Sequence, residues 1–163
     1  MTITFRNRHR LKRKEIKNLL NTIQNKFSIP LFNEKSAVDI ATYEDMKLIL
    51  VNDDIDFFHY KNTIFFTLKG LNKYHPKKYY VIVDMGAVGF VANGADVMSP
   101  GIVDADPQIQ PGDMIWIADE THKKPLGVGE ALLSGEEMVA NNKGKAIKNI
   151  HYIGDALWEI STK

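Results

Sequence analysis

Apolar and polar positions alternate from the first residues, with Ile3 and Phe5 set against Thr2 and Thr4, and this predicts a strand within residues 1–8. Between residues 11 and 27 the period changes. Ile16, Leu19, Leu20, Ile23 and Phe27 recur at steps of three and four, the spacing of a four-turn helix with one buried stripe. Residues 38–42, 47–51, 56–60 and 63–68 then read as four short strands, the last two joined by a tight turn at Lys61-Asn62. Residues 70–78 carry Gly70, Asn72, His75 and Pro76 with little apolar patterning, so they read as a connector, with a domain boundary near Lys78.

The second half opens on the apolar run 79–83, a buried strand, after which Ala87, Val88 and Val91 fall at helical spacing. Asn93-Gly94 is suited to close that short helix in a left-handed conformation, and Pro100-Gly101 to turn the chain. Further strands are expected at 102–103, 114–118, 126–133, 146–153 and 157–160. Ser134 and Glu137 have the spacing of a capping box at the start of a second short helix. The pattern predicts an α+β N-terminal domain over residues 1–78, followed over 79–160 by a mixed β pseudo-barrel with two short helices.

A helix of barely two turns between glycine-bearing corners leaves backbone amides that can receive a phosphate or carboxylate, so residues 94–101 are the first candidate site. Charge adds a second. The net charge of +1 hides an excess of 15 Lys and Arg over 8 Asp and Glu in residues 1–78, against 6 and 12 in 79–163. Arg6, Arg8, Arg10, Lys12, Arg13, Lys14 and Lys17 stand together with only Glu15 among them. Cations at a helix N-terminus oppose its dipole and invite an anionic partner. The same cations also serve as a solvated basic face, and the oppositely charged halves can attract each other.

Several chemistries are disfavoured. There is no cysteine, hence no disulfide, thiolate zinc site or cysteine nucleophile, and a reducing cytoplasmic setting is expected. No apolar run reaches the length of a membrane span and no leader is expected. Gly127-Val128-Gly129 lacks the third glycine of a dinucleotide fingerprint, and Gly144-Lys145-Ala146 lacks the hydroxyl residue of a phosphate loop. The five histidines are scattered, and Ser99 and Ser134 occupy turn and cap contexts. The carboxylates of Asn52-Asp53-Asp54 and Asp56 belong to a strand turn. No active site, metal or cofactor is expected.

Four motifs in order, residues 83–88, 93–101, 128–132 and 143–146, together resemble the PUA domain, a small RNA-binding pseudo-barrel. The ending at residues 148–158 is similar to the stand-alone PUA proteins of the malignant-T-cell-amplified-sequence family and their archaeal relatives, in which a small α+β domain precedes the PUA domain. The resemblance implies a non-enzymatic RNA-binding protein acting in translation. Eukaryotic relatives work at the small ribosomal subunit with density-regulated protein, or fused to its equivalent in ligatin. By the same resemblance, RNA, either tRNA or small-subunit rRNA, is expected at Gly94, Ala95, Asp96, Val97, Met98, Ser99, Pro100 and Gly101, with His151 and Tyr152 as secondary contacts. Arg6, Arg8, Arg10, Lys12, Arg13 and Lys14 are expected to attract phosphates. Single-stranded or irregular RNA is the expected form, and Tyr74, Tyr79 and Tyr80 are candidates either for stacking or for core packing. Two further readings are a protein-interaction adaptor and an accessory subunit of an RNA-modifying enzyme.

Overall fold

The computed structural model describes residues 3–162. They form two compact units, one built by the chain up to Pro76 together with the residues from Ile160 onward, the other by Lys77–Glu159.

In the first unit, strand β1 (Arg6–Arg10) leads into helix α1 (Arg13–Phe27), which is followed by β2 (Val38–Tyr43), β3 (Met46–Val51), β4 (Asp54–Tyr60), β5 (Thr63–Phe66) and helix α2 (Leu68–Tyr74). The strands make one antiparallel sheet in the order β1-β2-β3-β4-β5. Ile16, Leu20, Ile23 and Phe27 of α1 are buried as their spacing predicts. Leu48 to Val51 of β3 are buried without alternation, so both faces of the middle of the sheet are covered. Phe27 meets Phe65 and Phe66 edge-on at centroid distances of 5.6 and 4.7 Å, and Tyr74 stacks on Phe57 at 5.7 Å.

Two expectations change here. The first strand lies at Arg6–Arg10 and all five of its residues are exposed; Met1 and Thr2 of the alternating segment fall outside the described residues. Part of the expected connector is α2, because Thr67 caps that helix by accepting a hydrogen bond from the Gly70 amide at 3.0 Å. Gly70 is buried there, where a Cβ would stand 2.2 Å from the Asp56 carbonyl oxygen.

The second unit runs β6 (Tyr80–Val83), α3 (Met85–Ala92), β7 (Val97–Met98), a 3-10 turn (Ser99–Gly101), β8 (Ile102–Ala105), β9 (Met114–Asp119), β10 (Pro125–Ala131), α4 (Gly135–Ala140), β11 (Lys145–Tyr152) and α5 (Ala156–Ser161), whose last residues pass into the first unit. Its sheet has the order β7-β11-β10-β9-β6-β8, with β6 and β9 parallel and the other pairs antiparallel. The two end strands, β7 and β8, are separated in sequence only by Ser99-Pro100-Gly101. That corner brings the ends of the sheet together and makes a nearly closed mixed pseudo-barrel. Hydrogen bonds from Ser99 N to Gly144 O and from Asp84 N to Gly101 O, each 2.9 Å, tie the seam. Val81, Val83, Ile109, Ile115, Ile117, Met138 and Ile147 fill the interior. The expected capping box is present, with Ser134 and Glu137 exchanging hydrogen bonds of 3.2 Å.

The sixth strand is Val97–Met98, not residues 157–160, which are helical in α5. Asp155 explains the difference: its carboxylate accepts the Trp158 amide at 2.8 Å in the manner of an N-cap, just after a turn at Gly154 with φ +91°.

Candidate functional site

Helix α3 is fixed at its start by a side chain and at its end by backbone bonds. Asp84 caps its start by accepting the Ala87 amide at 2.9 Å. At its end Gly94 adopts φ +88°, which lets Gly94 N reach Val91 O and Ala95 N reach Phe90 O, both at 3.0 Å. This is a Schellman closure, and it needs a residue without Cβ at Gly94. The same bonds consume amides expected to form an anion cup. Ala87, Gly94, Ala95 and Ser99 all donate within the fold, so these four N–H groups are not open to an anion.

What the loop encloses instead is apolar. A cavity of about 430 Å³ lies between α3 and residues 95–101, walled by Ala87, Phe90, Val91, Val97, Met98 and Pro100, with Asp84 and Asp96 also on its lining. Val91 points into the core, while Met85, Gly86, Gly89 and Phe90 form the outward face of α3. Phe90 is 71 % exposed, Met98 49 % and Met85 47 %. Large apolar side chains gathered around a surface cavity mark a binding site more strongly than scattered ones do.

Of the loop residues expected to touch RNA, Ala95, Met98 and Pro100 are exposed, and Gly94, Asp96 and Gly101 are half-buried. Val97 and Ser99 are buried, so their side chains serve the barrel. Asp96 is held firmly: one oxygen accepts the Asn149 amide at 2.8 Å and the other lies 2.9 Å from Lys145 Nζ. The Lys145 hydrogen bond, with that of the Asn149 amide, keeps the Asp96 carboxyl below the ordinary carboxylate range. Asn149 also donates from Nδ2 to Ala95 O at 3.0 Å and to Val91 O at 3.2 Å, clamping the loop.

Tyr152 is brought to the loop, since a Cβ on Gly94 would come 2.7 Å from its ring. His151 is not on the surface. Its ring is only 1 % exposed and Nδ1 lies 2.9 Å from Asp155, which also receives the Tyr152 and Trp158 amides. The secondary contact expected at His151 is therefore a structural His-Asp pair.

The basic run at the start of the chain is largely occupied. Arg8 binds Asp39 at 2.8 Å and Asp53 at 2.6 Å, Arg10 also binds Asp39, and Arg13 binds Glu34. Arg6 donates to the Glu44 carbonyl, and Glu15 accepts the Lys12 amide at the helix start. Lys12, Lys14 and Lys17 are exposed. Tyr74 is half-buried, stacked on core residue Phe57, with its hydroxyl donating to buried Asp56 at 2.7 Å. Burial raises the Asp56 carboxyl above its ordinary value against the opposing pull of Lys73 and Tyr74. Among the described residues no group of three or more His, Cys, Asp or Glu side chains is arranged to hold a metal ion, and no helix is long and apolar enough to cross a membrane.

Sequence reasoning passed over Phe90, Met85, Lys145 and Asn149. Phe90 carried a signal, because Ala87, Val88 and Val91 already supply the inward stripe of so short a helix. Lys145 lay inside a motif used for the resemblance. Asn149 carried none, since its three bonds span 53 to 58 residues of sequence.

Residues 79–153 match the PUA domain model, and residues 7–74 match a domain of unknown function, DUF1947. An uncharacterized protein of Methanocaldococcus jannaschii is 44 % identical over 94 % of this chain and 96 % of its own length. Translation machinery-associated protein 20 of Saccharomyces cerevisiae is 33 % identical, over 82 % of this chain and 77 % of that protein. Malignant T-cell-amplified sequence 1-B of Xenopus laevis is 31 % identical, over 93 % and 90 %. Among solved structures, a hypothetical protein of Pyrococcus horikoshii OT3 superimposes with a TM-score of 0.82 at 36 % identity, covering 94 % of this chain and 99 % of that one.

Proposed function

The chain belongs to the PUA-domain family of malignant T-cell-amplified sequence 1 and translation machinery-associated protein 20, and from that premise we propose that it is a non-enzymatic RNA-binding protein of the translation apparatus. The observation that carries the reading is the solvent-open apolar cavity beside α3, with Phe90 at its edge and Lys145 next to it across Asp96. An unstacked base offers an apolar face to such a cavity, and the phosphates flanking it suit lysines on the neighbouring strand. Lys145 and Lys148, both exposed on β11, are the cations that act on Asp96. Gly94, Ala95, Asp96, Met98, Pro100 and Gly101 form the contact loop, supported from behind by Tyr152. The RNA is tRNA or small-subunit rRNA in single-stranded or irregular form, bound at cytoplasmic ribosomes, and a translation factor is the expected protein partner.

The N-terminal unit assists through Lys12, Lys14 and Arg6, since Arg8, Arg10 and Arg13 already have carboxylate partners. That pairing is the observation favouring the second reading, an adaptor whose main partner is a protein. Chemical-shift mapping of the isotopically labelled protein with unfractionated tRNA separates the two. Shifts centred on Phe90, Ala95, Met98 and Lys145 support RNA binding at the loop. A titration that leaves these resonances in place favours the adaptor.

A further inference from the structure

We propose that Asp96 is an internal competitor for phosphate that sets how selectively the loop takes RNA; this rests on the RNA-binding reading above. The Asp96 carboxylate occupies the arrangement that a phosphate oxygen would take, accepting one hydrogen bond from the Asn149 backbone amide at 2.8 Å and one from the Lys145 ammonium at 2.9 Å. It is not free to swing aside, because Asn149 also anchors the preceding carbonyl of Ala95 at 3.0 Å. A phosphate that approaches Lys145 meets an ammonium already bonded to the carboxylate and lies beside a charge of its own sign. A lone phosphate contact therefore gains little at this place. Only an RNA that also fills the adjoining apolar cavity, on whose lining Asp96 itself stands, recovers the loss. Discrimination of this kind uses a repulsive element against the wrong ligand as well as attraction to the right one. It also gives a reason for an acidic side chain in the middle of an RNA-contacting loop.

Asp96→Asn is the test, because the amide oxygen preserves the acceptor for Asn149 N while the charge is removed. The probes are a short fluorescein-labelled oligouridylate and unfractionated tRNA, each titrated by anisotropy at several salt concentrations. The variant is expected to bind oligouridylate several-fold more tightly, to gain less on tRNA, and to steepen the slope of log affinity against log salt by about 0.7, the value for one additional phosphate on a single strand. Lys145→Gln placed in the Asp96→Asn background should remove the gain. Equal or weaker binding by Asp96→Asn, an unchanged slope, or a gain that survives loss of Lys145 would overturn the inference while leaving RNA binding itself intact. If the wild-type protein binds neither probe at any salt concentration, the RNA-binding reading fails and this inference fails with it. Should Asp96→Asn not fold, Lys145→Gln alone decides. A small change in slope is expected because Lys145 is already neutralised, and a full loss of about 0.7 contradicts the competition.

Discussion

Replacing Phe90 by alanine separates the binding surface from the fold more cleanly than any other single change. A fully buried phenylalanine side chain contributes about 1.5–3 kcal/mol through area removed from water. Phe90 is 71 % exposed, so less than a third of that, under about 1 kcal/mol, is at stake. Alanine is also the better helix former at a position inside α3, by up to about 0.7 kcal/mol, which offsets part of the loss. The melting temperature should therefore move by no more than a few degrees. Binding should respond differently, because an aromatic platform contributes about 1–3 kcal/mol per stacked base when truncated to alanine, which is roughly 5- to 150-fold in Kd. Fluorescence anisotropy with tRNA and a thermal melt followed by circular dichroism measure the two effects on the same samples. Unchanged affinity with an unchanged melt would refute the argument that the apolar cavity is the contact. A large fall in melting temperature would refute the argument that Phe90 is free of the core.

Other positions give independent checks. Gly94→Asp forces a side chain into φ +88° with its Cβ 2.7 Å from the Tyr152 ring, so about 1–2 kcal/mol of stability and most RNA affinity should be lost together; retention of full affinity in the same anisotropy assay contradicts the placement of the loop. Gly70→Ala sets a methyl group 2.2 Å from the Asp56 carbonyl oxygen and should destabilise the first unit by about 1–3 kcal/mol, read as faster hydrogen exchange at Leu71 with little change at Val81. Acid should weaken the fold through Asp39. Burial pushes its carboxyl up, but Arg10 and Arg8 more than compensate, leaving it below the ordinary value. Its contribution is complete above the unfolded value of about 3.9 and is lost as pH falls through the lower folded value. The urea midpoint of the wild-type protein should accordingly drop more steeply below about pH 4 than that of Asp39→Asn, and identical pH profiles would rule out that role for the pair.

Local patterning was enough for most of the architecture. The stripe of α1, the β-branched runs of both sheets, the closure at Gly94 and the capping box at Ser134 depend on neighbours within a few residues, and each is found where spacing places it. The misreadings occur where short-range signals compete. Leu157 to Ile160 look like a strand by residue type, yet Asp155 captures the amide that starts a helix. Gly70 looks like a linker glycine, yet it lies in a helix packed against the Asp56 backbone. The candidate site was legible as a loop but not in its chemistry. Whether amides at residues 87–99 stand free depends on partners such as Gly144, distant in sequence. The basic run illustrates the same limit, since Arg8 finds Asp39 and Asp53 only after β1 joins β2 in the sheet. The resemblance places His151 among the contacts, and only its pairing with Asp155 four residues on reveals its inward role.

The most direct test of the account is equilibrium binding of the purified full chain to small ribosomal subunits, tRNA and a random single-stranded RNA, each measured across a range of salt concentrations. The account predicts binding that favours subunits or tRNA over random RNA and weakens linearly in log affinity against log salt, with a modest slope because Lys145 is already paired with Asp96. Absence of binding to all three, or equal salt-independent binding to each, would contradict it.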